Sequence, residues 1–327
     1  MEQLFGYENY SNQLINNYKN NNLKSSSILY GPKGIGKRTF INNFIFNIFK
    51  LTYDNNKFIH HVNLFKKNVH PNIKIIEKEF DNKTKKIKTS ISTDQIRNLK
   101  KFINETSSID NFNKFIIIDS ADDLNINSSN SLLKSLEEPN TNTYFFLISH
   151  QLSALIPTIR SRCLKLKFPK HDLENFKKIL CFNIENLSND EINFFYDLSI
   201  GCPGNAITMY NENITEIFEM MLDSLSDNDI NNSKIELSEL FSKFDNEIFL
   251  NFLSIYKTIL VLLNKIKNNT LLPDEFLSHK FKKLENISKF LTKKNIIDRF
   301  EFIVKNEKDL FNYNLDKKLF MLKLLTR

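Results

Sequence analysis

The stretch Gly31–Thr39, GPKGIGKRT, differs at one position from a phosphate-binding loop. That pattern reads G-x-x-x-x-G-K and then Ser or Thr, because glycines let backbone N–H groups approach phosphates and the lysine reaches the outer phosphates. Here Arg38 takes the last position and Thr39 comes one residue late. A β-like run precedes the stretch and TFINNFIFNIF (39–49) can begin a helix, so both flanks suit such a loop. The candidate phosphate-binding residues are Gly31, Gly34, Gly36, Lys37 and Thr39.

The composition is that of an ordinary globular chain with room for two or three domains, at 327 residues, 41% hydrophobic and 25% charged. Three cysteines without C-x-x-C spacing suit a reducing compartment and argue against a cysteine zinc site. The sequence lacks a signal peptide pattern and a continuous apolar run of ~20 residues. We therefore expect a cytoplasmic protein without a membrane partner. The net charge of +7 favours weak attraction to polyanions.

Short β-like runs alternate with helical segments as far as residue 168. The runs are SILYG (27–31), IKIIEK (73–78), KFIIIDS (114–120), YFFLIS (144–149) and CLKLKF (163–168). Nearly continuous apolar runs are typical of strands buried on both faces of a parallel sheet, and alternation with helices indicates an α/β layer fold. The segment 80–90 reads as a charged hairpin, whose lysines we expect to be solvated rather than DNA-bound: Lys83, Lys85, Lys86 and Lys88.

After Pro169 the pattern is helical to the end. The division predicted is an α/β domain over 1–168, a small helical lid over 169–211 and an all-α domain over 212–327. Helices are expected at 217–225 and at 249–266, and the second of these is apolar nearly all round. Such a helix belongs at the centre of a helical bundle or in an interface between subunits.

Asp119 ends the buried run FIII, which is the usual position of a carboxylate that holds Mg²⁺ beside ATP. Hydrolysing relatives of such sites place a Glu next, but here the residue is Ser120, which is not a general base on its own. Arg38 removes the hydroxyl that helps to bind Mg²⁺. The site could still bind ATP or ADP with Mg²⁺, while two parts of the hydrolysis chemistry are missing. Substitution of the absent Glu by Asp122 or Asp123 is the less favoured alternative.

Two of the six arginines lie in TIRSRC (158–163), in a chain that has 39 lysines. Arginine offers a planar fork that lysine lacks, so its retention at Arg160 and Arg162 is informative. Taken alone, the stretch favours a surface ion pair. The alternative is an arginine finger that reaches the nucleotide of a neighbouring subunit.

The run SLLKSLEEP (131–139), the strand TYFFLISH and the end TIRSRC together resemble the bacterial clamp-loader ATPases of the AAA+ class. Further matching stretches are LFGYE, GPKGIGK, VHPNIKIIE, STDQIRNLKKF, IIIDSADDLN, GCPGNA and Asn314–Asp316. They make the sequence similar to the delta prime family of DNA polymerase III subunits, particularly its alphaproteobacterial form.

This resemblance implies a stator in a five-subunit ring, an accessory part of a DNA polymerase holoenzyme that keeps the ATPase fold without hydrolysis. Gly204 matches the position where motor subunits carry a nucleotide-sensing arginine. Arg162 would act in trans on the adjacent motor subunit. The implied partners are gamma/tau motor subunits, delta, and, through the complex, the sliding clamp and primer–template DNA.

Many relatives carry a four-cysteine zinc module where this chain has 51–72, a segment without cysteine. We expect no zinc or other metal site there, and we expect His60, His61 and His70 to be turn and surface residues. The rival interpretations are an ATP-hydrolysing motor subunit, against which Ser120 and Gly204 argue, and a DNA-binding AAA+ initiator or helicase, which would need a recognisable DNA-reading module. A nucleotide kinase is disfavoured because the lid has no arginine cluster.

Overall fold

In a computed structural model of the chain, residues 4–81, 86–105, 112–225, 232–268 and 278–326 are described. Their contacts group into two compact units. The first unit runs to Ile179 and takes in Cys202–Asn205, and the second comprises Leu180–Gly201 and Ala206–Arg327. The predicted division at 168 and 211 stays a prediction.

Five strands of the first unit form one parallel sheet in the order β2-β5-β6-β1-β7. They are β1 (Ser26–Tyr30), β2 (Ile73–Ile76), β5 (Lys114–Asp119), β6 (Thr143–Ser149) and β7 (Leu164–Lys167). Each lies within or beside one of the five predicted runs, so the parallel α/β fold is confirmed. Because the strands are parallel, the loop that follows β1 starts at the carboxyl edge of the sheet, where such sheets bind ligands.

Helices cover both faces of this sheet: α1 (Glu8–Lys19), α2 (Lys37–Thr52), α3 (Asn55–Lys66), α4 (Thr93–Asn104), α5 (Ile126–Glu137) and α6 (Pro157–Arg162). Alternate residues of a strand enter different cores. Phe115 and Ile117 pack with the helices α1 to α3, while Ile116 and Ile118 pack with α4 to α6. This two-sided burial explains why the central strands read as continuous apolar runs.

The hairpin predicted at 80–90 is present as β3 (Phe80–Asp81) and β4 (Lys86–Ile87), which pair antiparallel. Lys88 forms an exposed ion pair with Glu79, 2.8 Å between Nζ and Oε2. Lys83 and Lys85 lie outside the described residues, as does the side chain of Lys86. The side chains of Lys88 and Glu79 are exposed to solvent, which agrees with a solvated hairpin. Such exposed pairs contribute little to stability.

The rest of the chain is helical: α7 (Leu173–Asn183), α8 (Asn189–Leu198), α9 (Pro203–Asn211), α10 (Ile214–Leu225), α11 (Asn232–Lys243), α12 (Asn246–Lys267), α13 (Ser278–Phe290), α14 (Lys293–Asn312) and α15 (Lys317–Leu325). The helices predicted at 217–225 and 249–266 are α10 and α12. The GCPGNA turn is shorter than predicted, since α9 begins at Pro203 and includes Gly204. Proline is favoured in the first turn, because an N–H group at that position would have no acceptor within the helix.

Helix α12 is the central helix of the second unit and packs on α13 and α14. Its Asp245 cap accepts a hydrogen bond from the Ile248 N–H, and Leu253, Ile259 and Leu263 are fully buried. Within the described residues, Ile248–Lys267 is the stretch long and apolar enough to cross a membrane by length and composition alone, and half of it is buried inside the unit. This packing agrees with the first of the two predicted positions, the centre of a helical bundle, and a position in a subunit interface stays a prediction.

Candidate functional site

The predicted phosphate-loop residues and Asp119 lie at the carboxyl edge of the sheet, whereas Arg162 lies apart from them, at the end of α6 just before β7. The glycine-rich loop connects β1 to α2, Asp119 is the last residue of β5, and His150 follows β6. Tyr30 of β1 pairs in register with Ser149 of β6, so these strand ends are direct neighbours. The alternation of strands and helices predicted this convergence, because parallel strands end at one edge.

Lys37, in the first turn of α2, is folded back onto its own loop. Its Nζ donates to the carbonyl oxygens of Gly31 at 2.6 Å and Pro32 at 2.7 Å, and the residue is 3% exposed. Burial lowers the pKa of Lys37 to about 8, while the Asp122 carboxylate acts in the opposite direction. The lysine is thus a buried cation held by two backbone acceptors, which a phosphate could replace.

Arg38 pairs with the residue predicted to hold Mg²⁺. Its Nη1 lies 3.1 Å from Oδ2 of Asp119, and its Nε donates to Oδ1 of Asn42 at 3.2 Å. Both charged side chains are only about a quarter exposed, 29% and 25%. The structure thereby brings Arg38 and Asp119 together, a pairing that the sequence analysis did not predict, with a guanidinium where other phosphate loops have a hydroxyl.

The carboxylates after Ser120 are already engaged. Ser120 Oγ donates to Asp122 Oδ2 at 2.9 Å, Ser149 Oγ donates to Oδ1 at 2.7 Å, and the His150 backbone N–H also donates to Oδ2. Asp123 pairs with Lys78 at 3.2 Å. An acceptor that is saturated in this way is poorly suited to remove a proton from water. The arrangement therefore disfavours the alternative in which either Asp replaces the missing Glu.

Gly204 packs directly on the phosphate loop. Its N–H donates to the Gly34 carbonyl at 2.7 Å, and a Cβ added at Gly204 would lie 2.9 Å from that oxygen. Gly34 has φ +81°, and a Cβ there would meet Asn205 Oδ1 at 2.4 Å. Any side chain at 204, including a sensing arginine, would push the turn away from the loop. This contact explains why position 204 is a glycine here and not the arginine that motor subunits carry.

The other predicted loop residues differ in what surrounds them. Gly31 approaches the last strand so closely that a Cβ would lie 2.3 Å from the Phe168 carbonyl. Gly36 caps α2 in the left-handed region, with φ +91° and open space around it. Thr39 is half-buried in the first turn of α2. Their binding of phosphate stays a prediction.

Arg162, at the end of α6, is held inside its own chain. Its Nη1 donates to the Thr158 carbonyl at 2.9 Å, and its Nη2 contacts Glu137 Oε1. The two side chains are 33% and 45% exposed. The guanidinium lies at the rim of the unit. To bind an anion from outside the chain, it must first release the Glu137 carboxylate. By contrast, Arg160 is half-buried, and its buried Nε bonds to none of the described residues, which agrees with a packing role.

The expectation of surface histidines is wrong for His61 and His70, which are 8% and 4% exposed, while His60 is exposed. His61 Nδ1 lies 3.1 Å from His70 Nε2, and His70 Nδ1 accepts from the Asn72 N–H. His61 stacks on Tyr53, and His70 stacks on Phe49. These rings pack as core aromatics, a role that the residue type alone did not indicate. Over the described part of the chain, no group of three or more potential metal-binding side chains is found.

The His70 contacts predict a dependence of stability on pH. Burial, with smaller contributions from His61 and His60, lowers the pKa of His70 to about 4. Because the unfolded chain takes up the proton first, stability is complete above pH 6.5 and falls as the pH drops from 6.5 towards 4. We expect the free energy of unfolding in urea to fall by about 2 kcal/mol from this group between pH 7.5 and 5.

His70→Gln should remove much of this pH dependence, whereas His60→Gln, at an exposed neighbour, should leave it unchanged. Urea titrations of the three proteins at both pH values make the measurement. Equal losses in wild type and His70→Gln would contradict the assignment to His70.

Two residues of the site escaped the sequence analysis. His150 has a buried Nδ1 that bonds to none of the described residues, and burial lowers the pKa of its ring. Asn205 packs directly against Gly34. The position of His150 directly after a buried strand was an available signal, since residues at carboxyl strand ends line such sites. Asn205 lies within the matching stretch GCPGNA, but no pattern indicated its contact with the phosphate loop.

A family model described as DNA polymerase III, delta subunit, matches residues 6–172, about half of the 327 residues. The chain belongs to this family. Among its relatives, the DNA polymerase III subunit delta' of Pseudomonas aeruginosa is 30% identical over 192 residues, 58% of this chain and 56% of that protein. The delta' subunit of Bacillus subtilis is 43% identical over 79 residues, 24% of each chain. This chain thus spans about half or less of the length of these relatives.

Among solved structures, a DNA polymerase III gamma subunit-related protein from Thermotoga maritima is 17% identical, with a TM-score of 0.46 over 95% of this chain and 97% of that one. The membership of the delta prime family rests on the sequence matches, which agree with the motifs of the phosphate loop and TIRSRC.

Proposed function

We propose that the chain is a stator subunit of a DNA polymerase III clamp loader, which helps to load the sliding clamp onto primed DNA. One observation carries the proposal beyond the family match: Arg38 occupies the metal-side position of the phosphate loop and pairs with Asp119 at 3.1 Å. A motor subunit needs a hydroxyl and a free carboxylate there to hold Mg²⁺. The fold of a nucleotide-binding subunit is retained, while its own site is degenerate.

The partners follow from this role. They are gamma/tau motor subunits and the delta subunit, with the clamp and primer–template DNA contacted through the complex in the cytoplasm. The similarity of part of the chain to a DNA polymerase III gamma subunit of Buchnera aphidicola, 33% identical over 29% of this chain and 28% of that protein, supports a place beside such subunits. Arg162 at the rim of the first unit supplies a guanidinium to the ATP site of a neighbouring motor subunit, once it leaves Glu137.

The helical part of the chain from about residue 212 is the proposed collar through which the ring assembles. Apolar side chains on one face of α14 support this: Ile297 and Val304, spaced by two helical turns, are 48% and 56% exposed. Apolar residues at this spacing lie on the same side of a helix. Full burial of such a side chain contributes about 1.5–3 kcal/mol, so covering its exposed half contributes roughly half of that for each residue.

Purification of the full chain with candidate motor and delta subunits, followed by native mass of the complex, tests the proposal. We expect one copy in a stable complex. The double variant Ile297→Asp/Val304→Asp should weaken assembly by at least about tenfold, because each carboxylate would be desolvated in an apolar contact. Its fold should persist, since exposed substitutions change stability little.

The matched control is Ile59→Asp on α3 of the first unit, which is similarly exposed at 57% and lies outside the proposed collar. It should assemble as the wild type does. A wild-type chain that stays monomeric with every motor and delta partner would refute the proposed function, and unaltered assembly of the double variant would refute the collar face.

A further inference from the structure

The position that would face a metal ion in this phosphate loop holds a cation belonging to the chain. Arg38 follows Lys37 in the first turn of α2, and its guanidinium contacts both Asp119 and Asn42. Magnesium requires several oxygen ligands in near-octahedral geometry, with one or two carboxylates from the protein. A guanidinium at 3.1 Å from the Asp119 carboxylate occupies that carboxylate with charge-assisted hydrogen bonding.

The neighbouring carboxylates do not offer an alternative ligand set. Asp122 accepts from two hydroxyls and one backbone N–H, and Asp123 pairs with Lys78. Within the described residues, the carboxylates at this edge of the sheet are therefore engaged by donors or cations. The residues present do not fit a divalent metal.

We infer that this loop binds the phosphates of a nucleoside di- or triphosphate without a divalent metal, with Arg38 in place of the ion. The inference concerns the ligand chemistry of the same loop and rests on the proposed function only in treating the loop as a phosphate site. Arginine suits the exchange because its planar fork matches phosphate as well as carboxylate. Lys37, now held by two loop carbonyls, supplies the second cation.

The charge of Mg²⁺ should make the affinity for the magnesium complex of a nucleotide differ from the affinity for the free nucleotide. A nucleotide that carries Mg²⁺ would bring a dication towards the Arg38 guanidinium, whereas the free nucleotide brings only negative charge. Repulsion between like charges at a partly buried site is weakly screened. Metal-free nucleotide should therefore bind at least as tightly as its magnesium complex, opposite to the order expected when Asp119 is available for the metal.

The experiment is calorimetric titration of the full-length chain with ADP and with ATP, each in excess Mg²⁺ and in EDTA. For wild type, we expect affinity in EDTA to equal or exceed that in Mg²⁺, within about threefold. Arg38→Thr restores the usual hydroxyl and frees Asp119, so its affinity should become at least about tenfold tighter in Mg²⁺ than in EDTA. Arg38→Lys keeps the charge and should remain independent of the metal.

Two controls locate the effect. Lys37→Ala should abolish binding if the loop is the site. Arg97→Thr removes an arginine that also lies 3.1 Å from an aspartate, Asp94, but whose side chain is 69% exposed on α4, and it should behave as wild type. Circular dichroism melts of each variant verify that it is folded.

The inference is overturned by wild-type affinity at least about tenfold tighter with Mg²⁺. Absence of ADP and ATP binding under both conditions, or full binding by Lys37→Ala, also overturns it. Because the titration uses the isolated chain, its failure leaves the assembly test of the proposed function intact, and a failed assembly leaves the titration intact.

Discussion

Arg162→Ala in a fully assembled clamp loader is expected to reduce ATP turnover at the neighbouring motor site by ~10³–10⁵-fold, the range known for arginine fingers that act in trans. In the proposed role, the guanidinium would stabilise charge that develops on the transferring phosphate, and alanine would leave that charge uncompensated. Because a ring has several motor sites, total DNA-stimulated turnover falls by a smaller factor. The measurement is ATP turnover and clamp loading with primed DNA, after native mass has verified assembly.

Three variants separate this role from a structural one. Arg162→Lys should rescue poorly, since a point charge lacks the planar fork. Arg160→Ala, at the neighbouring packing residue, should have a smaller effect. Glu137→Gln removes the charge that now holds Arg162, so it should leave the maximal rate near wild type while releasing the guanidinium. Wild-type turnover by Arg162→Ala in a complete complex would show that the arginine is only a surface residue.

The isolated chain is expected to show no steady ATP hydrolysis. Loss of a positioned general base typically lowers a rate by ~10²–10⁴-fold. Ser120 cannot take that role, because a hydroxyl is not a general base on its own. The residue is also buried, at 7% exposed, and its hydroxyl donates to Asp122 at 2.9 Å. Arg38 additionally removes the metal hydroxyl ligand. The measurement is phosphate release by purified protein over hours, with and without primed DNA.

Lys37→Ala is the control for this prediction, since it removes the cation of the loop and leaves any contaminating ATPase unaffected. Equal background rates in wild type and Lys37→Ala would agree with a degenerate site. Steady turnover by the wild type that Lys37→Ala abolishes would show a working ATPase and would favour the motor-subunit interpretation. Arg38→Thr combined with Ser120→Glu tests whether the two missing parts are sufficient to restore hydrolysis.

Much of the fold of the first unit could be predicted, because burial on both faces leaves a simple mark. Strands such as β5 must be apolar at every position when helices cover each side, and the run FIII shows it. The presence of α10 and α12 was readable from their many apolar residues, although each begins three residues before the predicted start. The end of the GCPGNA turn was less readable, since Pro203 suits either a turn or the first helical turn.

The histidines mark the limit of this approach. His61 and His70 are nine residues apart, and their ring nitrogens are 3.1 Å apart only because α3 packs on α2 and the chain returns to the same aromatic cluster. A histidine in a polar segment has no local pattern that distinguishes a core position from a surface one. The prediction therefore failed where long-range packing determined the environment.

The sequence by itself determined the family, the parallel α/β domain with its helical continuation, and which parts of a hydrolytic site are replaced, at Arg38, Ser120 and Gly204. These properties depend on residue identity and on local periodicity, both of which are written in the chain. Only the tertiary structure decided the pairings: Arg38 with Asp119, Arg162 with Glu137, and Gly204 against Gly34. Each joins residues far apart in sequence, and such contacts depend on the distances that folding sets between elements.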